Sequence, residues 1–193
     1  MEELEKIVNF IFEVGTARGV FRTHRQFIKN ADDSLAEHSF RTAIIGMVLA
    51  ELEKADKSKV VMMCLVHDLP EIRTGDANFI NAVYRTGRKK EEKEAARDQW
   101  IGLPGETEVL ALISEYEEHK TKEAIIAKDA DRLDQIFLQR EYLPADSYDL
   151  KRWHYHIARE IQTESAQKIA ELVLETSPLK WLYDFSDKQK KKG

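Results

Sequence analysis

A chain of 193 residues with 42% hydrophobic and 34% charged side chains, and only 8 Gly and 4 Pro, has the make-up of one folded domain, which excludes disordered, collagenous and Gly-rich chains. A formal net charge of −5 argues against a broad nucleic-acid surface, so no nucleic-acid partner is expected. No apolar run approaches the ~20 residues of a bilayer span, and the first residues lack the basic start and apolar core of a secretory signal, so no membrane partner is expected.

In chain order, Leu4, Ile7, Val8, Ile11 and Phe12 fall at helical spacing and predict a helix ending near Gly15. Residues 16–33 are polar and irregular, a length of loop that is uncommon unless it binds something. Ser34 and Glu37 form a capping-box pair that opens the next helix, with His38 in its first turn and Ile44, Ile45, Met47, Val48 and Leu52 beyond. A third helix, about 57–67, is apolar on all sides over 60–66 and is expected to be the central buried one. Pro70 should stop it near Asp68. Residues 71–90 read as a surface excursion with room for a short helix. Helical periodicity returns at 91–100, 106–118 and 122–142, and a last long helix is predicted over about 148–176, ended by Pro178. No segment alternates with period two. The expectation is an all-α fold, a single domain over 1–193 of about six to eight helices around a central buried helix, with a flexible tail over 184–193.

His67-Asp68 closes the most hydrophobic helix, and buried ionisable groups are rare unless paired or bound to metal. Adjacent helical side chains point about 100° apart, so both reach one ion only if the helix end turns. His38 starts another apolar helix, and Asp129 and Asp131 lie early in a third beside Ile125, Ile126, Leu133, Ile136 and Phe137. Two imidazoles and two carboxylates from three helices could supply a mixed nitrogen and oxygen site for Mn, Fe, Co, Ni or Zn. Spacing does not choose between Asp129 and Asp131.

The segments Ala36-Glu37-His38-Ser39, His67-Asp68-Leu69-Pro70-Glu71-Ile72-Arg73-Thr74-Gly75-Asp76 and Lys128-Asp129-Ala130-Asp131-Arg132-Leu133 resemble the HD-domain metal-dependent phosphohydrolases. The likeness covers roughly residues 4–145. The stretch from His67 to Asp76 resembles the subgroup that contains the bacterial 5′-deoxynucleotidases and the human HD-domain-containing protein 2. The resemblance implies one divalent metal ion (Mn, Co, Fe, Zn, Ni or Mg) held by His38, His67, Asp68 and Asp131, the last chosen over Asp129 by its Asp-Arg-Leu continuation. It also implies catalytic roles for Glu71 and Asp76, a substrate-phosphate contact by Arg18, and a homodimer. Arg22 or Arg25 could replace Arg18. Gly19 stands where the bacterial relatives carry a tryptophan, and Phe21 is a candidate for the missing aromatic face.

The implied activity is metal-dependent hydrolysis of (deoxy)nucleoside 5′-monophosphates, a small-molecule nucleotide substrate. The alternatives are an HD phosphohydrolase for a nucleoside triphosphate or another phosphorylated metabolite, or a non-catalytic metal- or nucleotide-binding module. The lone Cys64 cannot form an internal disulfide, reads as an inert core thiol, and suits a cytoplasmic location. His154 and His156, two apart on a helix, face opposite sides and do not read as a metal pair. His24 and His119 read as loop or surface residues.

Overall fold

The computed structural model describes residues 1–190. Among these are eleven α-helices and two 3-10 turns, with a lone bridge between Phe21 and Ser34 as the only extended pairing. Helix α1 (Glu2–Gly15) ends where predicted. The following loop is pinned rather than loose: it forms 3-10 turns at Thr16–Gly19 and Thr23–Gln26, and Ile28 and Ala31 are buried with Leu138. His24 lies in this loop, as one of its two readings had it, but is buried rather than on the surface, its Nε2 2.7 Å from Asp33 Oδ1.

Helix α2 (Leu35–Glu53) opens on the predicted capping box: Ser34 N donates to Glu37 Oε2 at 2.7 Å, and Glu37 N donates to Ser34 Oγ at 3.3 Å. Its partner α3 (Lys57–Val66) crosses so closely at Gly46 that a Cβ there would sit 2.8 Å from Cys64 Sγ. Glycine is what lets the two backbones meet. The run in α3 buries Val60, Met63, Cys64 and Val66 but turns Leu65 outward.

The excursion after Pro70 holds two short helices, α4 (Glu71–Thr74) and α5 (Phe79–Tyr84), and the helix predicted over 91–100 follows as α6 (Arg88–Trp100). Gly75, at φ 76°, ends α4 in the left-handed region that favours glycine. Next come α7 (Glu106–Glu118) and α8 (Lys122–Tyr142). Helix α8 takes the central place expected of α3, packing on α2, α3 and α7 and on the two helices that follow. Ala124, Ile126, Ala127, Ala130, Leu133 and Ile136 are fully buried along it.

The predicted helix over 148–176 is two helices, α9 (Tyr148–Ala158) and α10 (Glu164–Glu175). The break has a tertiary cause. Asp129 on α8 accepts from Gln162 N, Thr163 N and Thr163 Oγ1, and so caps α10 from a distance. The tail expected from 184 is helical as far as described, within α11 (Lys180–Lys190); positions 191–193 lie outside the described residues. Lys180 pairs with Asp184 across one turn at 2.6 Å and supports that helix. No helix among the described residues is long and apolar enough to cross a membrane.

Candidate metal centre

Two imidazoles face each other where α2 and α3 run side by side, their ring centroids 5.6 Å apart. His38 is buried, with Nδ1 2.7 Å from Asp134 Oδ2 on α8. His67 is also buried, and its Nδ1 donates to the Cys64 carbonyl at 2.9 Å. Fixing Nδ1 selects the tautomer and leaves Nε2 as the free donor atom. Both Nε2 atoms are shielded from solvent and lack a hydrogen-bond partner. An orphaned buried polar atom costs about 1–3 kcal/mol, so a pair of them at one point asks for an occupant.

The adjacent residues His67 and Asp68 reach that point together because α3 stops at Val66. Tight turns follow, with Leu69 N donating to Val66 O and Glu71 N to Asp68 O, and they undo the 100° separation. Asp68 Oδ2 then lies 3.2 Å from His67 Nε2 and 3.5 Å from His38 Nε2. Asp131 Oδ1 lies 3.3 Å from His38 Nε2. Donors set at right angles around an ion at about 2.1 Å stand about 3 Å apart, so these spacings suit a divalent cation. Asp129, two residues before Asp131, points away and is consumed by its cap on α10.

Charge at the centre is strongly biased. Burial would raise the carboxyls of Asp68 and Asp131, yet the imidazoles beside them outweigh it and hold both below the usual carboxylate range. For His38, burial and Arg22 work downward, but Asp131, Asp134 and Asp68 prevail and raise it well above an ordinary histidine. The cluster is built to keep positive charge among its acids.

The two carboxylates beyond the imidazoles are treated differently. Glu71 is buried with Oε2 unpartnered, and its Oε1 accepts from Arg88 Nη2 at 2.5 Å. Burial, reinforced by Asp68, raises its pKa well above the usual range against the pull of Arg22 and Arg88. Asp76 follows Gly75 and receives both the backbone N–H and the hydroxyl of Thr23. Burial opposes its ionisation, but Arg22 and Thr23 win and lower it.

Arg18 is not brought to the cluster. It is exposed, and its Nε donates back to the Gly15 carbonyl at 2.9 Å. Arg22 is the arginine that arrives, with Nη1 2.8 Å from Asp68 Oδ2, 3.2 Å from Asp76 Oδ1 and 3.8 Å from Glu71 Oε2. Arg25 instead stacks 4.5 Å over the Phe21 ring, the aromatic face suggested for substrate, and pairs with Asp32 at 3.3 Å. His154 is buried with Nε2 donating to the Ala170 carbonyl at 2.8 Å, while His156 is exposed, as their two-residue spacing predicts.

Three residues at the centre escape the motif reading. Asp134 orients His38 and is itself held by Arg41. Tyr116 on α7 donates from its hydroxyl to Asp131 Oδ2 at 3.2 Å and lays its ring 4.7 Å from that of His67. Arg88 backs Glu71. Of these only Asp134 left a sequence signal, standing three after Asp131 and so on one face of α8 with it. Beside the centre, a groove of about 670 Å³ between α6 and α7 has His67 and Pro70 in its lining, with charged Lys89, Glu92, Lys93, Arg97, Glu117 and Glu118 as well as apolar Ala96, Leu110 and Ile113 along its walls.

Residues 14–175 match the family model described as HD domain. The chain is 34% identical over 119 residues to the 5′-deoxynucleotidase HDDC2 of Dictyostelium discoideum, a match covering 57% of this chain and 63% of that protein, just under two thirds of its length. It is 32% identical over 143 residues to the 5′-deoxynucleotidase HDDC2 of Xenopus laevis, covering 72% of this chain and 70% of that one. A crystal structure of a protein from Pyrococcus horikoshii OT3 is similar with a TM-score of 0.70 and 28% identity, over 87% of this chain and 96% of that one.

Proposed function

The chain belongs to the HD-domain family, and from that premise we propose that it is a divalent-metal-dependent phosphomonoesterase that hydrolyses (deoxy)nucleoside 5′-monophosphates to nucleoside and phosphate. The observation that carries the reading is the pair of buried, unpartnered Nε2 atoms of His38 and His67. With Asp68 they form a group of donors within 4.8 Å of one another, and Asp131 Oδ1, 3.3 Å from His38 Nε2, would complete a set for one cation of the Mn, Co, Fe, Zn, Ni or Mg group. When bound, such an ion supplies Lewis acidity, neutralising phosphoryl charge and making water a competent nucleophile near neutral pH.

The chain's own residues do the rest. Glu71 presents a free, buried Oε2 and holds a proton more readily than an ordinary carboxyl. It takes the proton of the attacking water as the new P–O bond forms, and returns it to the 5′-oxygen as the old P–O bond breaks. Asp76 stays ionised and fixed by Thr23, so it orients the water without competing for the proton. The groove between α6 and α7 has the volume of a small-molecule site and receives the nucleoside.

The names of the relatives favour nucleoside 5′-monophosphates as the substrate class. A reducing, cytoplasmic setting agrees with a lone buried cysteine. Exposed apolar side chains along α2, among them Phe40, Ile44 and Val48, support a homodimer.

The test is phosphate release from the eight common ribo- and deoxynucleoside 5′-monophosphates, after chelator treatment and readdition of Mn, Co or Mg. Metal-restored, deoxy-selective release is expected. Release only from triphosphates or from non-nucleotide esters would replace the substrate class. Silence with every substrate, metal bound, would favour a binding module.

A further inference from the structure

Glu71 shares its arginine with a second acid. Arg88 Nη2 donates to Glu71 Oε1 and Nε to Glu92 Oε1, both at 2.5 Å, while Nη1 donates at 3.3 Å to the carbonyl of Ala77, the residue after Asp76. Nε and Nη2 form one edge of the guanidinium plane, the edge that on Arg73 takes both oxygens of Glu13. On Arg88 that edge takes one oxygen from each of two residues, so the carboxylates of Glu71 and Glu92 stand side by side. Each keeps its other oxygen. Glu71 Oε2 is buried without a partner, and among the described residues no hydrogen bond reaches Glu92 Oε2.

The two acids differ in what they face. Glu71 opens α4 at the metal centre, whereas Glu92, one turn along α6 from Arg88, lines the groove between α6 and α7 and is half-buried there. The other acids of the groove are met by cations: Glu117 by Lys89 at 3.3 Å and Lys128 at 3.7 Å, and Glu118 by Lys120 at 3.7 Å. Glu92 Oε2 is therefore the acceptor the groove holds open, and it lies beside the carboxylate that serves the 5′-oxygen. A nucleoside attached through that oxygen presents its sugar to Glu92 before its base. The 3′-hydroxyl is the sugar donor that ribo- and deoxynucleotides share.

We propose that Glu92 is the residue that selects for the nucleoside sugar, accepting the hydrogen of the 3′-hydroxyl, and that Arg88 is a positioning residue that joins this contact to Glu71. The assignment rests on the phosphomonoesterase reading and names how that site reads its substrate. A carboxylate set to accept a hydroxyl discriminates strongly against a ligand that lacks it, because the acceptor is then left unpaired. A hydroxyl on Glu92 fixes that side chain, Arg88 is fixed with it, and Glu71 Oε1 is held so that Oε2 stays on the attacking water. The sugar contact therefore reaches kcat as well as KM.

The probe is a pair of substrates, a 2′-deoxynucleoside 5′-monophosphate and its 2′,3′-dideoxy counterpart, hydrolysed by Mn-loaded wild type, Glu92→Gln and Arg88→Lys. Wild type is expected to favour the deoxy substrate by at least about tenfold in kcat/KM, with part of the preference in kcat. Glu92→Gln has a single acceptor oxygen, which Arg88 claims, and so turns an amide N–H to the hydroxyl; it should bring the two substrates within about threefold. Arg88→Lys has no fork to hold two acids, so kcat should fall on both substrates and the remaining preference should lie in KM alone. Wild type that hydrolyses both substrates alike, a reading that needs no variant to fold, would overturn the assignment and leave the parent reading intact. Folded Glu92→Gln that keeps the wild-type preference, whatever its rate, would do the same. A wild-type preference confined to KM would overturn the link through Arg88. Metal-loaded wild type that hydrolyses no nucleoside monophosphate would overturn both readings.

Discussion

Asp129 and Asp131 stand two positions apart on the same helix and live in opposite circumstances. Asp129 is fully buried, and its oxygens accept from Gln162 N, Thr163 N and Thr163 Oγ1, with Arg132 nearby at 3.4 Å. Asp131 keeps one bond, from the Tyr116 hydroxyl, and otherwise faces an imidazole nitrogen that has no partner. The first cluster is closed and holds the start of α10; the second converges on two imidazole nitrogens that have no hydrogen-bond partner. The more deeply buried of the two is the structural one, the Asp131 side chain being 32% exposed, so depth of burial does not mark the chemical site. What marks it is polar atoms that converge and stay unsatisfied.

The comparison breaks most visibly if the open cluster proves structural. Asp131→Ala should lower metal-dependent phosphate release by at least about a thousandfold and abolish metal-induced thermal stabilisation. Its metal-free melting temperature should stay close to that of the metal-free wild type, because Asp131 closes no part of the chain. A large fall in that melting temperature with metal binding retained would reverse its place in the contrast. The counterpart is Asp129→Ala, which strips the acceptor from three buried donors and should cost about 3 kcal/mol of stability. Chemical denaturation checks this. Metal content of the folded fraction should be unchanged; loss of metal there would mean the two clusters are one.

Between these extremes lies Asp134, which touches the site only through His38 Nδ1. Asp134→Asn keeps the shape but weakens the hold on the ring and its basicity, and should reduce metal affinity about 10- to 100-fold. Competition with a chromogenic chelator reads this directly. An unchanged affinity would show that packing alone orients His38.

The same contrast explains what the sequence made legible. His67-Asp68 and the capping box at Ser34 are local patterns, and their consequences are local too: a helix stop, a turn, a helix start. The all-α class follows from periodicity summed over many residues. The break at 159–163 is different, because its cause is a carboxylate some thirty residues upstream, and no pattern within 148–176 records it. Spacing could not separate Asp129 from Asp131 for the same reason: what divides them is whether α10 or His38 lies opposite. Which of Arg18 and Arg22 reaches the cluster depends on the 3-10 geometry of the loop over 16–33, which polar composition alone does not specify. Tyr116 lies on a helix that carries no motif at all.

Tyr116 gives the finest test of the contrast. Its hydroxyl is the one conventional hydrogen bond that Asp131 makes, at 3.2 Å, and burial with Asp131 and Asp68 alongside pushes its pKa well above that of an ordinary tyrosine. It therefore stays a donor throughout the neutral range. Tyr116→Phe removes that donor alone: the ring keeps its contact with His67 and its place beneath Lys128 Nζ, 3.9 Å from the centroid. A hydrogen bond to an ionised carboxylate is worth about 1.5–3 kcal/mol, and this one at 3.2 Å belongs at the low end, so metal affinity should fall about tenfold. If the fall matches that of Asp131→Ala, the hydroxyl is what aims the carboxylate, and the open cluster is held by Tyr116 as firmly as the closed one is held by α10. If affinity rises, the hydroxyl competes with the cation for Asp131, and the looseness of that carboxylate is the feature the site depends on.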